Sequence, residues 1–374
     1  MTTPLAGLRL LDLSRQLPGP FCSTLLGDLG MDVLTIANPS DPFGVGIPFL
    51  ARNKRSMTLN LKSATGREIF LRLVADSDVV LEGFRPGVMQ RLGLDYAVLS
   101  AHNPRLIYCA ITGYGQDGPY RDRVGHDVNY LGYAGVLNFI GPPEGAPVIP
   151  GVQIADIGAG ASMAALGILA AVVARQQTGR GQLVDIAMLD GAVMWNAYHL
   201  LLHQLGQSPQ RGTAQLTGRY PCYAVYETRD HRYVTVGAYE PHFWATLCRH
   251  FGREDFIKRQ WDEGARADML AFFQAAFRQK TLAEWMADLG EKEICFGPVN
   301  EIEDVFRDPQ VMHRQMFTAV ADGPPMVSHP IKFSDTPAAL RTQPPRFGEH
   351  TDSVLRSLGY DAEQIAAFRA EGVL

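Results

Sequence analysis

The sequence predicts an α/β protein: a parallel sheet covered by helices on both faces, followed by a smaller α+β domain. Short β-branched runs alternate with stretches of helical periodicity through the first half, and strands that short, buried on both faces, belong to parallel sheets. From about Gly191 the pattern changes to a hairpin and a succession of helices. With 374 residues, 46% of them hydrophobic and 20% charged, the chain has the length for about two domains and an ordinary globular composition.

Leu8–Leu13 reads as the first strand, followed by a helix from about Pro20 to Leu29 and a strand over Asp32–Ile36. Met57–Leu61 is the next expected strand. It precedes a helix that puts Ile69, Phe70, Leu73 and Val74 at helical spacing, and Ser63 is a good N-cap there because its hydroxyl accepts from a first-turn N–H. Val79–Leu81 and Leu106–Ile111 are further strands. Ligands of such sheets collect at the carboxyl ends of the strands. Ile157 to Ala174 carries no charge and just reaches membrane-spanning length. Its Ala and Gly content, with Ser162 inside and no aromatic belts, reads as a buried helix. Trp195–Leu205 is expected as a linking helix, and Tyr223–Tyr226 with Tyr233–Val236 as a hairpin joined through Asp230-His231. Helices follow to about Glu291; beyond Pro324 the chain is proline-rich and closes with a short helix.

The net charge of −5 argues against a dedicated nucleic-acid binder, which needs a dominant basic field. Cys22, Cys109, Cys222, Cys248 and Cys295 are far apart and never in CxxC spacing, so neither a disulfide framework nor a metal site is expected. The stretch Met1-Thr2-Thr3-Pro4-Leu5 lacks the pattern of a signal peptide, and no lipidation motif is present. A cytoplasmic location and no membrane partner are the expectations.

Gly113-Tyr114-Gly115-Gln116-Asp117-Gly118 matches GxGxxG after an expected strand. Pro119 and Tyr120-Arg121-Asp122-Arg123 follow it where a dinucleotide site needs an apolar helix, so its glycines are read as tight turns or close approach to a ligand. Arg52-Asn53-Lys54-Arg55-Ser56 precedes a strand, Lys62 stands beside the Ser63 cap, and Arg85 and Arg91 lie near sheet edges. Together, in an acidic protein, these cations suggest a multiply phosphorylated ligand. Gly125-His126-Asp127-Val128-Asn129-Tyr130 and the later Asp156 supply a histidine and a carboxylate, the pair that moving a carbon-bound proton requires. Taken singly, each has a plain structural reading: His126 as a satisfied histidine, Asp156 and Asp127 as caps, Glu240 as a cap or surface charge. Spacing alone promotes none of them.

End to end, the chain resembles the family III CoA-transferase and racemase superfamily. The resemblance rests on Pro4-Leu5-Ala6-Gly7-Leu8-Arg9-Leu10-Leu11-Asp12, Leu26-Gly27-Asp28-Leu29-Gly30, Asn53-Lys54-Arg55, Leu59-Asn60-Leu61-Lys62-Ser63, Arg105-Leu106-Ile107-Tyr108 and Thr112-Gly113-Tyr114-Gly115. Thr178-Gly179-Arg180-Gly181-Gln182, Phe296-Gly297-Pro298-Val299 and Gly348-Glu349-His350-Thr351 continue it in family order. It implies a Rossmann-like large domain built from residues 1–190 and 325–374, a linker helix within 191–220, a small α+β domain at 221–324, and an interlocked homodimer acting on acyl-CoA thioesters. No cofactor is implied, CoA being part of the substrate.

Within the superfamily, the run around His126 and Gly237-Ala238-Tyr239-Glu240-Pro241 resemble the α-methylacyl-CoA racemase branch. There the residues matching His126 and Asp156 exchange the α-proton through an enolate, and the one matching Glu240 orients the histidine. Transferases keep the aspartate as a nucleophile and typically lack this histidine, so CoA transfer through Asp156 is the alternative expectation. Candidate CoA contacts are Arg52, Lys54, Arg55, Lys62, Arg85, Arg91 and Tyr130. Where the family has an acidic residue and a cation after the second strand, Ala37-Asn38-Pro39 stands here, which leaves Arg52, Lys62, Arg85 and Arg91 to hold the nucleotide end. Gly158 and Gly160 are expected to let backbone amides approach the thioester oxygen, and Leu216, Tyr220 and Tyr223 to line an acyl pocket.

Overall fold

In the computed structural model, which describes residues 3–41, 47–320 and 323–374, the apolar runs of the first half pair into one parallel sheet. Met1 and Thr2 of the N-terminal stretch lie outside the described residues. Strands Arg9–Asp12 (β1), Asp32–Ala37 (β2), Lys54–Thr58 (β3), Val79–Glu82 (β4), Ile107–Thr112 (β5) and Leu183–Ala187 (β6) lie in the order β3-β2-β1-β4-β5-β6. Every neighbour pair is parallel. This is a doubly wound sheet whose order reverses between β1 and β4, and that switch point opens a crevice at the carboxyl ends.

The expected strand at Met57–Leu61 begins instead at Lys54, which pairs with Val33. Three polar residues conceal its start, because Lys54 and Ser56 are buried by pairing and not by apolar character. Around the sheet run Pro18–Asp28 (α1), Ala64–Ala75 (α2), Val88–Leu92 (α3), Tyr96–His102 (α4) and Asp127–Tyr133 (α5). A π-helix at Ile154–Ser162 continues into Met163–Thr178 (α6), and Met188–Trp195 (α7) follows β6. Ser63 caps α2 as expected, accepting from the Gly66 N–H at 2.9 Å. Leu11, Leu34, Val80 and Tyr108 on one sheet face bury Ile69, Phe70 and Val74 of α2 in a dry core. The helical stretch Ile154–Thr178 is long and apolar enough to cross a membrane. It is buried on one side only: Ala164, Ile168 and Ala171 are covered, whereas Leu166 and Val173 are exposed.

The second unit holds most of Ala197–Gln204 (α8) and an antiparallel sheet of Tyr223–Glu227 (β7), Tyr233–Gly237 (β8) and Phe296–Pro298 (β9). The same stretch holds helices Pro241–His250 (α9), Glu263–Phe277 (α10), Leu282–Leu289 (α11), Ile302–Val305 (α12) and Pro309–His313 (α13), with a 3-10 helix at Glu254–Arg259. Its core is aromatic: Tyr226, Trp244, Phe273, Phe277 and Trp285 are all but inaccessible, and the two indole N–H groups donate to the Phe256 and Phe277 carbonyls. The chain then returns to the first unit through the short hairpin Phe317–Thr318 (β10) and Met326–Val327 (β11), and through Thr351–Ser357 (α14) and Ala362–Ala370 (α15). The Asn60 N–H donates to the Val373 carbonyl at 2.8 Å, so the C-terminal segment closes over β3.

The units are Met1–Val136, Pro150–Ala197 and Met312–Leu374 on one side, Leu137–Ile149 and Tyr198–Val311 on the other. These boundaries differ from the expected 1–190, 191–220 and 221–324. The supposed linker helix is two helices, α7 belonging to the first unit, and residues 137–149 join the second unit through Arg211, whose guanidinium donates to the Pro142 and Asn138 carbonyls. A composition shift marks where the chain changes character, and long-range pairing of this kind leaves no local trace.

Candidate active site

His126 is the N-cap of α5, with extended backbone at φ −128° and ψ 177°; its N–H donates to Asn129 Oδ1 at 3.0 Å and its carbonyl accepts from the Asn129 N–H at 2.8 Å. The cap is thus made by Asn129 and the backbone, which leaves the imidazole exposed. Asp127 turns the other way. Its Oδ1 accepts from the backbone N–H groups of Ala155 at 2.6 Å and Asp156 at 2.9 Å, satisfying two donors at the start of the π-helix. One carboxylate therefore fastens the segment bearing His126 to the segment bearing Asp156. The cap-like role read for Asp127 from sequence is correct in kind, but the helix it caps is the distant one.

Asp156 lies in the first turn of the π-helix, a wider turn than the α-helix and one that recurs at functional sites. Ser162 Oγ donates to the Ile157 carbonyl five residues back, at 3.0 Å. Gln153, not Asp156, is the N-cap. The Asp156 carboxyl is raised to about 6, by burial first and by the Asp127 charge second, with His126 acting in the opposite direction. His126 and Asp156 are thus within electrostatic reach of each other. Tyr130, buried beneath them on α5, donates to the Gly125 carbonyl at 2.5 Å, and desolvation followed by the Asp156 charge pushes its hydroxyl up to about 12. Its ring lies so close to the backbone at Gly113 that a Cβ there would meet Cε1 at 2.4 Å, which accounts for the first glycine of the GxGxxG match.

Gly158 and Gly160 sit within the π-helix Ile154–Ser162. They let neighbours close on it: a Cβ at Gly158 would meet the Trp195 ring at 3.1 Å, and one at Gly160 the Met188 side chain at 3.0 Å. The amides of Ala155 and Asp156 are already taken by Asp127.

The candidate CoA contacts separate into two groups. Arg52 is buried against Asp28, with Nη2 2.7 Å from Oδ2 and Nε 3.2 Å from Oδ1. Lys54 is equally buried, donating to Ser23 Oγ at 2.7 Å and the Pro20 carbonyl at 2.9 Å, with Asp12 Oδ2 at 3.7 Å; burial lowers its ammonium to about 8. Arg55 makes a bidentate pair with Asp32 at the amino end of β2. Because β3 starts three residues early, these cations flank the amino end of the strand, and their charges are committed within the fold. Lys62, Arg85 and Arg91 are exposed and make no ion pair among the described residues. Arg91 and Arg121, the latter unremarked in the sequence beyond its charged neighbourhood, approach each other over Gly87, where a Cβ would come within 3.5 Å of Arg91 Nη1 and 3.1 Å of Arg121 Nη2. At the switch point Arg15 stands over the Phe84 ring, 5.7 Å from its centroid.

Glu240 belongs to the second unit, where it is the exposed N-cap of α9 without a side-chain cap bond. Tyr220 lines a cavity of about 440 Å³ in that unit, with Tyr198, Leu202 and Thr213; Leu216 and Tyr223 are exposed and lie outside its lining. Among the described residues no group of three His, Cys, Asp or Glu side chains converges as a metal site.

The pattern of the family described as CoA-transferase family III matches residues 5–351, and the chain belongs to that family. It is 35% identical to an acyl-CoA transferase of Fusarium pseudograminearum, over 99% of this chain and 88% of that protein. It is also 35% identical to the alpha-methylacyl-CoA racemase of Mus musculus, over 99% of this chain and 97% of that protein. The crystal structure of a CAIB/BAIF family protein from Brucella suis superposes with a TM-score of 0.83 at 31% identity, covering 96% of this chain and all of that one. Relatives of equal identity thus carry both reactions, within one enzymatic family.

Proposed function

We propose that this enzyme inverts the α-carbon of 2-methylacyl-CoA thioesters by two-base proton transfer. The observation that carries the reading is the join between His126 and Asp156: a two-base racemase needs both groups beside one carbon, and Asp127 holds their backbones together. A thioester α-proton is far less acidic than either side chain, so one group must take it as the enolate forms while the other delivers a proton to the opposite face. A carboxyl raised to about 6 holds and releases a proton near neutral pH, as each direction of the reaction demands in turn. Lys62, Arg85 and Arg91 are the cations this reading leaves for the CoA phosphates. It takes the working enzyme to be a cytoplasmic homodimer.

The test is α-proton exchange of a 2-methylacyl-CoA in heavy water with no free acid present. Deuterium incorporation is expected in the wild type and its loss in His126→Ala; full exchange in that variant would sink the two-base assignment. The equal identity to an acyl-CoA transferase favours one competing reading, in which the Asp156 carboxylate attacks a donor thioester to give a mixed anhydride and then an enzyme-bound CoA thioester. That reading predicts no exchange, an absolute requirement for an acid acceptor, and inactivation by hydroxylamine during turnover.

A further inference from the structure

Glu82 ends β4 at the switch point and is 4% exposed, yet no cation pairs with it among the described residues. Its Oε2 accepts from the Phe84 N–H at 2.6 Å, and its Oε1 faces the Tyr108 hydroxyl at 3.4 Å. Asp185 of β6 adds a like charge, and Arg85, Asp95, Tyr96 and Arg121 line the same cavity of about 280 Å³. A buried carboxylate in this setting costs stability, so its presence points to a task. The bond it makes holds the turn Gly83-Phe84-Arg85-Pro86-Gly87, which carries Arg85 and then starts α3, the helix bearing Arg91. We propose that Glu82 is a positioning residue for CoA binding, its carboxylate fixing this turn so that Arg85 and Arg91 are aimed at the ligand before it arrives. The inference rests on the acyl-CoA reading above, though not on which reaction follows.

A charged acceptor bonds an N–H about twice as strongly as a neutral one, so the turn is held best when Glu82 is ionised. Burial, the largest influence on it, raises this carboxyl to about 7, which makes the hold dependent on pH in the neutral range. Binding of CoA itself, measured by titration calorimetry on the full-length protein at pH 6 and pH 8, tests the inference. Glu82→Ala is expected to weaken binding about tenfold at pH 8, the value of one charge-assisted hydrogen bond. In turnover the loss belongs in KM, with kcat within about twofold. Glu82→Gln keeps the acceptor without the charge, so it is expected to bind about three- to tenfold more weakly than wild type at pH 8 and about equally at pH 6. An alanine variant that binds as wild type overturns the inference. So does a Gln-to-wild-type ratio that is the same at both pH values, a comparison that stands even where the alanine variant fails to fold. Wild-type protein that binds no CoA would instead overturn the acyl-CoA reading itself.

Discussion

The first unit buries carboxylates in two different ways. Asp28 is inaccessible and fully answered: Arg52 makes two bonds to it, and Asn53 Nδ2 donates to Oδ1 at 2.7 Å. Asp12 is equally enclosed, accepting from the Ser14 hydroxyl and from Ser23 Oγ at 2.5 Å, with the Lys54 ammonium beside it. Asp156 and Glu82, at the carboxyl side of the same sheet, have no cation partner at ion-pair distance among the described residues, and both are raised to between about 6 and about 7. The first pair closes the fold and is silent to solvent. The second retains the freedom to titrate, which a structural ion pair gives up and acid–base chemistry requires.

Removing the open carboxyl should separate the two kinds most sharply. Asp156→Asn is expected to lower α-proton exchange by about a thousandfold, the range of a lost general acid–base, while the protein remains folded by circular dichroism. Arg52→Ala should do the reverse, costing about 3–5 kcal/mol in chemical denaturation because Asp28 is left charged and unpaired, with the exchange rate per folded molecule unchanged. An Arg52→Ala protein of normal stability would erase the distinction.

Glu82 provides a third contrast through the pH dependence of stability. Its folded value of about 7 lies above its ordinary value of 4.5, so between these the folded state keeps a proton that the unfolded chain has shed. Stability from this group is therefore full below about pH 4.5 and falls as pH rises towards 7, by up to about 3 kcal/mol. Glu82→Gln should flatten that slope in urea melts run from pH 5 to pH 8. The smallest effect is expected at Asp127. Asp127→Asn keeps the oxygen that accepts from Ala155 and Asp156 but removes the charge that raises Asp156, so the acid limb of the exchange profile, where both bases become protonated, should move to lower pH. A limb that moves upward would mean that the two carboxyls do not interact as their placement requires.

The sheet was legible because its strands are short, apolar and separated by amphipathic helices, so pattern alone places β1, β2, β4 and β5 to within about a residue or two of their observed limits. β3 escaped because its first residues are polar and are buried by pairing. The motif run marked His126 and Asp156 as a site; their join through Asp127 was not legible, since an aspartate beside a histidine looks the same whether it caps its own helix or one some thirty residues away. The burial of Arg52 against Asp28 and of Lys54 beside Asp12 was not legible for the related reason that charge is visible in a sequence and its partner is not. Local pattern and residue chemistry determined the fold class and the family from the amino-acid order alone, because hydrophobic period and family motifs are properties of neighbouring residues. Which charges are spent on the fold and which stay free to act was decided only by tertiary structure, because desolvation and ion pairing depend on what the folded chain brings against each group.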